Sequence, residues 1–399
     1  MLRQIYLDNA ATTKVLPTVV YEMLPYFTEG YGNPSSLYDF GQQARDTIDK
    51  ARESIAKHIN AREQEIYFTS GGTESDNWAL KETAFAYASK GKHIITSSIE
   101  HHAISHSCKW LEKHGFEITY LEVDEFGLID PETLKNALRP DTTLVSIIFA
   151  NNEIGTIQPI KELAAIAHEQ GALFHTDAVQ AITNIPLDVA ELDVDMLSAS
   201  AHKFHGPKGV GFLYIKKGVK TRSFMDGGAQ ERKRRAGTEN VPGAVGMAKA
   251  LEICMERFDE RVELEMRLRD LLIDRILSEV PYTRLNGHRT KRLPGNVSFC
   301  FEFIEGESLL LALEQKGILA SSGSACASGS LDPSHVLLAI GLPHEIAHGS
   351  LRLSIGEDIT TDDINYTIDA IKEVVARLRV MSPLYEDFLA GKKPISATK

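Results

Sequence analysis

From about residue 41 to 260 the chain alternates short apolar runs with stretches whose apolar residues recur every three or four positions. Ala44, Ile48, Ala51, Ile55 and Ile59 step by three and four, which is one face of a helix. The runs EIYFTS, HIITS, ITYLEV, TLVSIIFA, ALFHTD, DMLSAS and VGFLYI read as buried strands, with ESDNWALKETAFAYASK as a helix after the first. Alternation of this kind predicts an α/β fold whose largely parallel sheet is covered on both faces. Near residue 260 the texture changes, and a boundary is expected at 258–262. DERVELEMRLRDLLIDRILSEV reads as a long charged amphipathic helix. NVSFCFEF, with Val297, Phe299, Phe301 and Phe303 alternating, reads as a half-buried strand typical of an antiparallel sheet. SLRLSI is a further strand, a helix is expected from about 361 to 380, and the last ten residues of the tail are expected to be mobile.

A chain of 399 residues is too long for one core and implies about two domains. Residues 15–260 are expected to form a large unit with a mainly parallel sheet. Residues 1–14 together with 261–399 are expected to form a smaller α+β unit. The net charge of −12 argues against a protein that coats phosphate backbones. The basic cluster Arg232–Arg235 then reads as a solvated loop or a small anion site rather than a nucleic-acid patch. Cys108, Cys254, Cys300 and Cys326 lie far apart with no CxxC pair, which fits a reducing compartment. The start, MLRQIYLDNAATT, has no signal-like apolar run, and no stretch approaches the roughly 18 apolar residues of a membrane span. A cytoplasmic location is therefore expected.

Five stretches carry candidate chemistry. In IYFTSGGTESDN a strand ends at Ser70, and glycines precede Thr73 at a helix start. That is either an anion cradle of free amides or a plain strand-to-helix turn. In ALFHTDAVQAI, Asp177 falls at a strand's carboxyl end with Gln180 three residues on. Ligands of open α/β sheets bind at such ends, and a helix cap is the alternative use. In LSASAHKFHGPKGVG, Ser200, His202 and Lys203 precede a glycine-rich turn, where partial desolvation favours a neutral, nucleophilic lysine over a surface one. In SIEHHAISH, His102 and His106 could share a helix face as metal ligands, but no third ligand is evident; His101 could instead lie flat against another ring. Arg352, inside an apolar strand, needs an anion, either a structural carboxylate or a substrate carboxylate held bidentately. Cradle, strand-end acid, shielded lysine, stacking histidine and carboxylate-binding arginine together describe a pyridoxal phosphate enzyme acting on an amino acid.

The sequence resembles the cysteine desulfurases of the NifS/IscS type, in the class V aminotransferase group. The resemblance runs from IYLDNAATT at residue 5 to SPLYEDF near 388 through YGNPSS, TSGGTESDN, EHHAI, ANNEIGTIQPI, HTDAVQ, SAHKFHGPKGVG, RRAGTENVPG, SSGSACASGSL and LRLSIG. It implies an aspartate aminotransferase-like pyridoxal phosphate-dependent transferase fold and conversion of L-cysteine to L-alanine. Selenocysteine lyase or another class V activity is the alternative. It further implies that Lys203 is the Schiff-base lysine and that Gly72, Thr73, Ser200 and His202 hold the phosphate. Asp177 would pair with the pyridine nitrogen, Gln180 with the phenolic oxygen, and His101 would stack on the ring and help move protons. Asn152 would lie near ring and substrate, and Asn33 and Arg352 would bind the substrate carboxylate. Thr238 would reach the phosphate of the other subunit of a homodimer, which takes the basic cluster into a cross-subunit loop. Gly72 stands where Ala or Cys is common, and Ala236 where Ser is usual. Cys326 would be the nucleophile that carries the sulfur as a persulfide to an iron–sulfur scaffold or another acceptor. No intrinsic metal is expected beyond a transient cluster ligated by Cys326 with such a scaffold. Neither nucleic acid nor membrane is an expected partner. The bulk-free stretch SSGSACASGS, within a loop of about 321–332, then reads as a flexible tether, expected to be mobile from about 323 to 332 with Cys326 well away from Lys203 at rest.

Overall fold

The computed structural model describes residues 4–323 and 333–392. The expectations for Cys326, for its loop and for the end of the tail fall on 324–332 and 393–399, outside the described residues. Among the described residues twelve strands follow in chain order: β1 (Ile5–Tyr6), β2 (Ile66–Thr69), β3 (His93–Ser97), β4 (Glu117–Leu121), β5 (Thr142–Ser146), β6 (Leu173–Asp177), β7 (Met196–Ser200), β8 (Gly211–Ile215), β9 (Thr283–Leu285), β10 (Asn296–Phe301), β11 (Ile318–Leu319) and β12 (Ser350–Ser354). The helices that matter for the site are α1 (Asp39–His58), α2 (Gly72–Asn77), α3 (His102–Glu112), α4 (Val241–Glu256), α5 (Phe258–Glu279), α6 (His335–Ala339), α7 (Thr361–Val380) and α8 (Pro383–Leu389).

Seven strands form one sheet in the order β2-β8-β7-β6-β5-β3-β4. β3 to β7 run parallel, and β8 is antiparallel to both of its neighbours. The side-chain period of two sends alternate residues to opposite faces. Ile95, Val145, Phe174, Leu197 and Phe212 enter one core, and Ile94, Leu144, Met196 and Leu213 enter the other. Each such fully buried side chain contributes roughly 1.5–3 kcal/mol by leaving water. The strands therefore read as continuous apolar runs, and their carboxyl ends line up along one edge.

A second core collects Leu268, Leu272, Ile276, Val297, Phe299, Phe301, Leu351, Leu353, Ile364, Ile368 and Ile371 around the antiparallel sheet β12-β10-β9. β10 was expected to be half-buried, but all six of its residues are buried. It is the central strand: Val297, Phe299 and Phe301 face α5 and α7, while Cys300 on the opposite face packs with Val336, Leu337 and Ile340. Residues from the chain start join this core, since Ile5 and Leu7 lie in it and β1 pairs in parallel with β11.

One loop is held onto the first sheet by charge. Glu231 accepts both guanidinium nitrogens of Arg52 on α1, at 2.8 and 2.9 Å, and the amide of Phe68 at 3.0 Å. Glu231, Arg232 and Lys233 take left-handed φ values of 42°, 57° and 65°, a region costly for non-glycine residues. Arg232 and Arg234 lie over the Tyr67 ring, and Arg235 pairs with Glu74, so the basic cluster is occupied by its own chain. Glu231→Ala strands the buried Arg52 charge and should lower unfolding stability by ~3–5 kcal/mol in denaturant titration. The double replacement Arg52→Met with Glu231→Leu should lose clearly less.

Candidate active site

The site gathers at the carboxyl edge of the seven-stranded sheet. After β2 the chain turns through Gly71, whose φ of +148° suits glycine, into α2. The first turn of a helix leaves its amides without intrahelical partners and favours an anion. A Cβ on Gly72 would stand 2.6 Å from Val179 Cγ2, so a larger residue there would have to displace that side chain. Ser200, at the end of β7, lies alongside: its Oγ would be 3.5 Å from a Cβ on Gly71. Thr73 is exposed at the same helix start. His202 is half-buried, with Nδ1 3.2 Å from Thr12 Oγ1.

Asp177 ends β6 in full burial, and one of its oxygens accepts the Val179 amide at 2.9 Å. Lys203 follows β7 directly and donates to the carbonyls of Ala10 and Ala11 at 2.6 and 2.8 Å. Gln180 donates to the same Ala10 carbonyl at 2.9 Å. Lys203 and Gln180 line a cavity of about 50 Å³, with the buried pair Arg261 and Glu265 on its far wall.

His101 caps α3, its Nδ1 accepting the Ala103 amide at 3.1 Å. The neutral ring therefore carries its proton on Nε2. Burial first, then the nearby Lys203 charge, pushes the His101 pKa down to about 4, and the same two causes act on His202 with the same result. Both rings are neutral at physiological pH. Side-chain donor atoms of His101, Asp177 and Asp76 lie within 4.8 Å of one another. Beside them Glu100 is buried, one oxygen held by Ser97 Oγ at 2.5 Å and the Ile148 amide at 2.9 Å, and burial raises its pKa to about 8. His102 and His106 stack 5.1 Å apart on α3, and His335 of α6 lies 4.9 Å from His102.

Arg352 on β12 is buried. It donates to Asp8 at 2.8 Å and to the Asn152 carbonyl at 3.3 Å, while its Nε has no partner among the described residues. The structural carboxylate is therefore present, and one buried guanidinium N–H remains unpaired among the described residues. Asn152 is thus brought to Arg352 through its backbone. Asn33 sits on an exposed loop, its side chain accepting the Ser35 amide at 2.9 Å, and among the described residues no hydrogen bond joins it to the other candidates. Thr238 is exposed and lines a cavity of about 80 Å³ with Ser70, Arg235 and Glu239. Sequence reasoning passed over Asp8, Asp76, Glu100, Glu153 and His175, which are buried or half-buried polar groups around the same edge. All five lie inside the motifs that carry the resemblance, but only tertiary contact shows what they face.

Residues 5–367 match the family described as aminotransferase class-V. The chain is 59% identical over 382 residues to a cysteine desulfurase IscS of Methanosarcina thermophila, covering 96% of this chain and 94% of the relative. It is 54% identical to a cysteine desulfurase IscS of Clostridium botulinum over 98% of this chain and all of that one. A solved NifS-like protein superposes with a TM-score of 0.89 at 40% identity, covering 94% of this chain and 100% of that one. A structure described as SspA in complex with cysteine superposes with a TM-score of 0.79 at 36% identity, covering 88% and 98%. The cofactor of the family is pyridoxal 5′-phosphate. The site has groups that fit that cofactor: a helix start at Gly72, a buried strand-end carboxyl at Asp177, and a lysine shortly after the neighbouring strand. The chain belongs to the class-V aminotransferase family and, within it, to the cysteine desulfurases.

Proposed function

We propose that this chain converts L-cysteine to L-alanine and passes the sulfur, as a persulfide on Cys326, to acceptor proteins, chiefly for iron–sulfur cluster assembly. The observation that carries the reading is the convergence of Lys203, Gln180 and Asp177 on one sheet edge, with Arg352 tied to it through Asp8 and Asn152. Gly72, Thr73, Ser200 and His202 hold the cofactor's phosphate, Asp177 its ring nitrogen, Gln180 its phenolic oxygen, and His101 and Asn152 its ring. Thr238 reaches the phosphate of a second subunit in a homodimer. When bound, pyridoxal phosphate supplies the electron sink that makes Cα–H and C–S cleavage of cysteine feasible.

Arg352 would offer the substrate carboxylate its guanidinium, and Asn33 a second contact. Buried guanidinium donors bind carboxylates tightly because water competes poorly there. Lys203 carries the proton that leaves Cα. Its ammonium is steered by the Ala10 and Ala11 carbonyls, which keep Nζ at the end of β7. His101, neutral and with its proton on Nε2, serves as a ring-face contact and proton partner rather than a fixed charge. The Cys326 thiolate attacks the substrate sulfur. The S–S bond forms as the C–S bond breaks, the electron pair stays with the substrate carbon, and protonation there yields alanine. The thiol of Cys326 plus cysteine thus becomes the persulfide plus alanine, with atoms and electrons balanced.

The division into a unit of residues 15–260 and one of 1–14 with 261–399 belongs to the same reading; the packing of Ile5 and Leu7 in the second core supports it. An acceptor docking near α8 is supported by an apolar groove of about 590 Å³ between Phe303, Ile304, Met381, Leu384 and Phe388. Among the described residues no helix is long and apolar enough to cross a membrane, and a cytoplasmic setting is part of the proposal.

Lys203→Ala should abolish turnover, measured as alanine formed from cysteine. Cys326→Ser should keep the bound, coloured cofactor yet release no sulfide above background; normal sulfide and alanine rates in that variant would show that Cys326 is not the nucleophile. Arg352→Lys loses the planar donor fork, worth roughly 1.5–3 kcal/mol for a charged hydrogen bond. Its KM for cysteine should rise by about tenfold or more, and an unchanged KM would remove Arg352 from the substrate site.

A further inference from the structure

Asp76, on α2, has no cation beside it. It is 1% exposed, and its Oδ1 has no hydrogen-bond partner among the described residues. The groups facing it are Asp177 at the end of β6, His101 before α3, Glu100 and His175. His175 Nε2 is 3.8 Å away, but that ring is fully buried and neutral, and its two nitrogens are taken by Ser146 Oγ at 2.9 Å and Ser198 Oγ at 3.0 Å. Glu100 is itself an acid. Asp76 and Asp177 therefore sit with oxygens within 4.8 Å of each other, both out of water and with no neutralising partner at Asp76. Two carboxylates so placed cannot both ionise at neutral pH, and one proton stays on the pair. Asp177 keeps the charge, because it accepts the Val179 amide at 2.9 Å and feels Lys203, while Asp76 has only the Ser198 hydroxyl to favour its charged form. Burial pushes both carboxyls up, Asp76 further.

We propose that Asp76 and Asp177 are a proton-sharing acid pair, in which Asp76 holds the proton and so keeps the single negative charge on Asp177, facing the cofactor's ring nitrogen. Asp76 is then a positioning residue that acts through Asp177. The inference rests on the assignment of Asp177 to that nitrogen. The arrangement confines the counter-charge of the ring to one oxygen pair at the sheet edge. A second ionised carboxyl there would compete for the ring proton and for Lys203.

The test is the infrared spectrum of the holoenzyme grown with 13C-carboxyl aspartate, which moves aspartate bands and leaves those of Glu100 and the other buried glutamates in place. At neutral pH the wild type should show the carbonyl stretch of a protonated, unsolvated aspartic acid. Asp76→Asn should remove that band while retaining cofactor with affinity within about threefold, since the amide is neutral and still a donor. Asp177→Asn should keep the band, and the pH at which it is lost should fall by about one unit or more, because the like charge has gone. Absence of the band in the wild type overturns the inference. So does loss of the band in Asp177→Asn, which would put the proton on the other member; that arm stands even if Asp76→Asn does not fold. Cofactor titration of the Asp177→Asn apoenzyme separates the two readings. Undiminished affinity there, with the infrared pattern as expected, sinks the assignment of Asp177 to the ring nitrogen and leaves the shared proton. Weakened affinity without the band sinks the shared proton alone.

Discussion

The site depends on a single strip of backbone, residues 8–13, that leaves the second core and crosses the edge of the first. The Ala10 carbonyl receives Lys203 and Gln180 from the seven-stranded sheet, at 2.6 and 2.9 Å. Its neighbours bind the other side: Asp8 holds Arg352 at 2.8 Å, and the Ala10 amide donates to Ser354 Oγ at 2.9 Å. Beyond it, Thr13 donates its amide to the His202 carbonyl at 2.9 Å. Lys203 and Arg352 belong to different cores, and no direct bond joins them among the described residues. Their separation is set through this strip, and reacting groups must be held to about half an ångström to act together.

Burial does most of the electrostatic work around that strip. Moving an ionised group out of water is costly, so a group with no close partner shifts to its neutral form. His101 and His202 become neutral by losing affinity for protons, and Glu100 becomes neutral by keeping its own. The charges that survive at the edge have specific partners: Arg352 has Asp8, and Lys203 has two carbonyls. A substrate carboxylate or a phosphate entering such a site meets few competing ions. The helix start at Gly72 and the guanidinium of Arg352 then act with the strength that a dry environment confers.

The fold was legible because its signals are local. Parallel strands buried on both faces show as apolar runs, and HIITS and ALFHTD fall on β3 and β6 almost residue for residue. The helix expected from about 361 to 380 is α7, fixed by a capping box in which Thr360 and Asp363 satisfy each other's backbone. The long helix after ESDN contains a feature no pattern announces, a π turn over Trp78–Glu82 that keeps Trp78 fully buried. β10 was misjudged because alternation reports which residues are large, not whether a second layer covers the smaller ones. The site splits the same way. Lys203, Asp177 and Gly72 sit at strand ends and glycine turns, which sequence displays. Asp8 and Asp76 act through residues more than 100 positions distant, and Asn33 meets none of its expected companions.

The two ends of the nine-residue stretch 324–332 bear on how sulfur leaves. Ser334 caps α6 and donates to the buried carboxyl of Glu153, while the Gly323 amide donates to Ser350 Oγ at 3.4 Å and a Cβ on Gly323 would stand 3.2 Å from Oε2 of the same Glu153. Both ends therefore lie against the same buried Glu153. Burial holds the Glu153 carboxyl up to about 7, so neither end needs to neutralise a full charge under mildly acidic conditions. Chain length then limits the journey of Cys326. Three residues from Gly323 span at most ~11 Å when fully extended. On the proposed transfer through Cys326, an acceptor must therefore bring its receiving group to the neighbourhood of Gly323, so the reach that completes the transfer belongs to the acceptor.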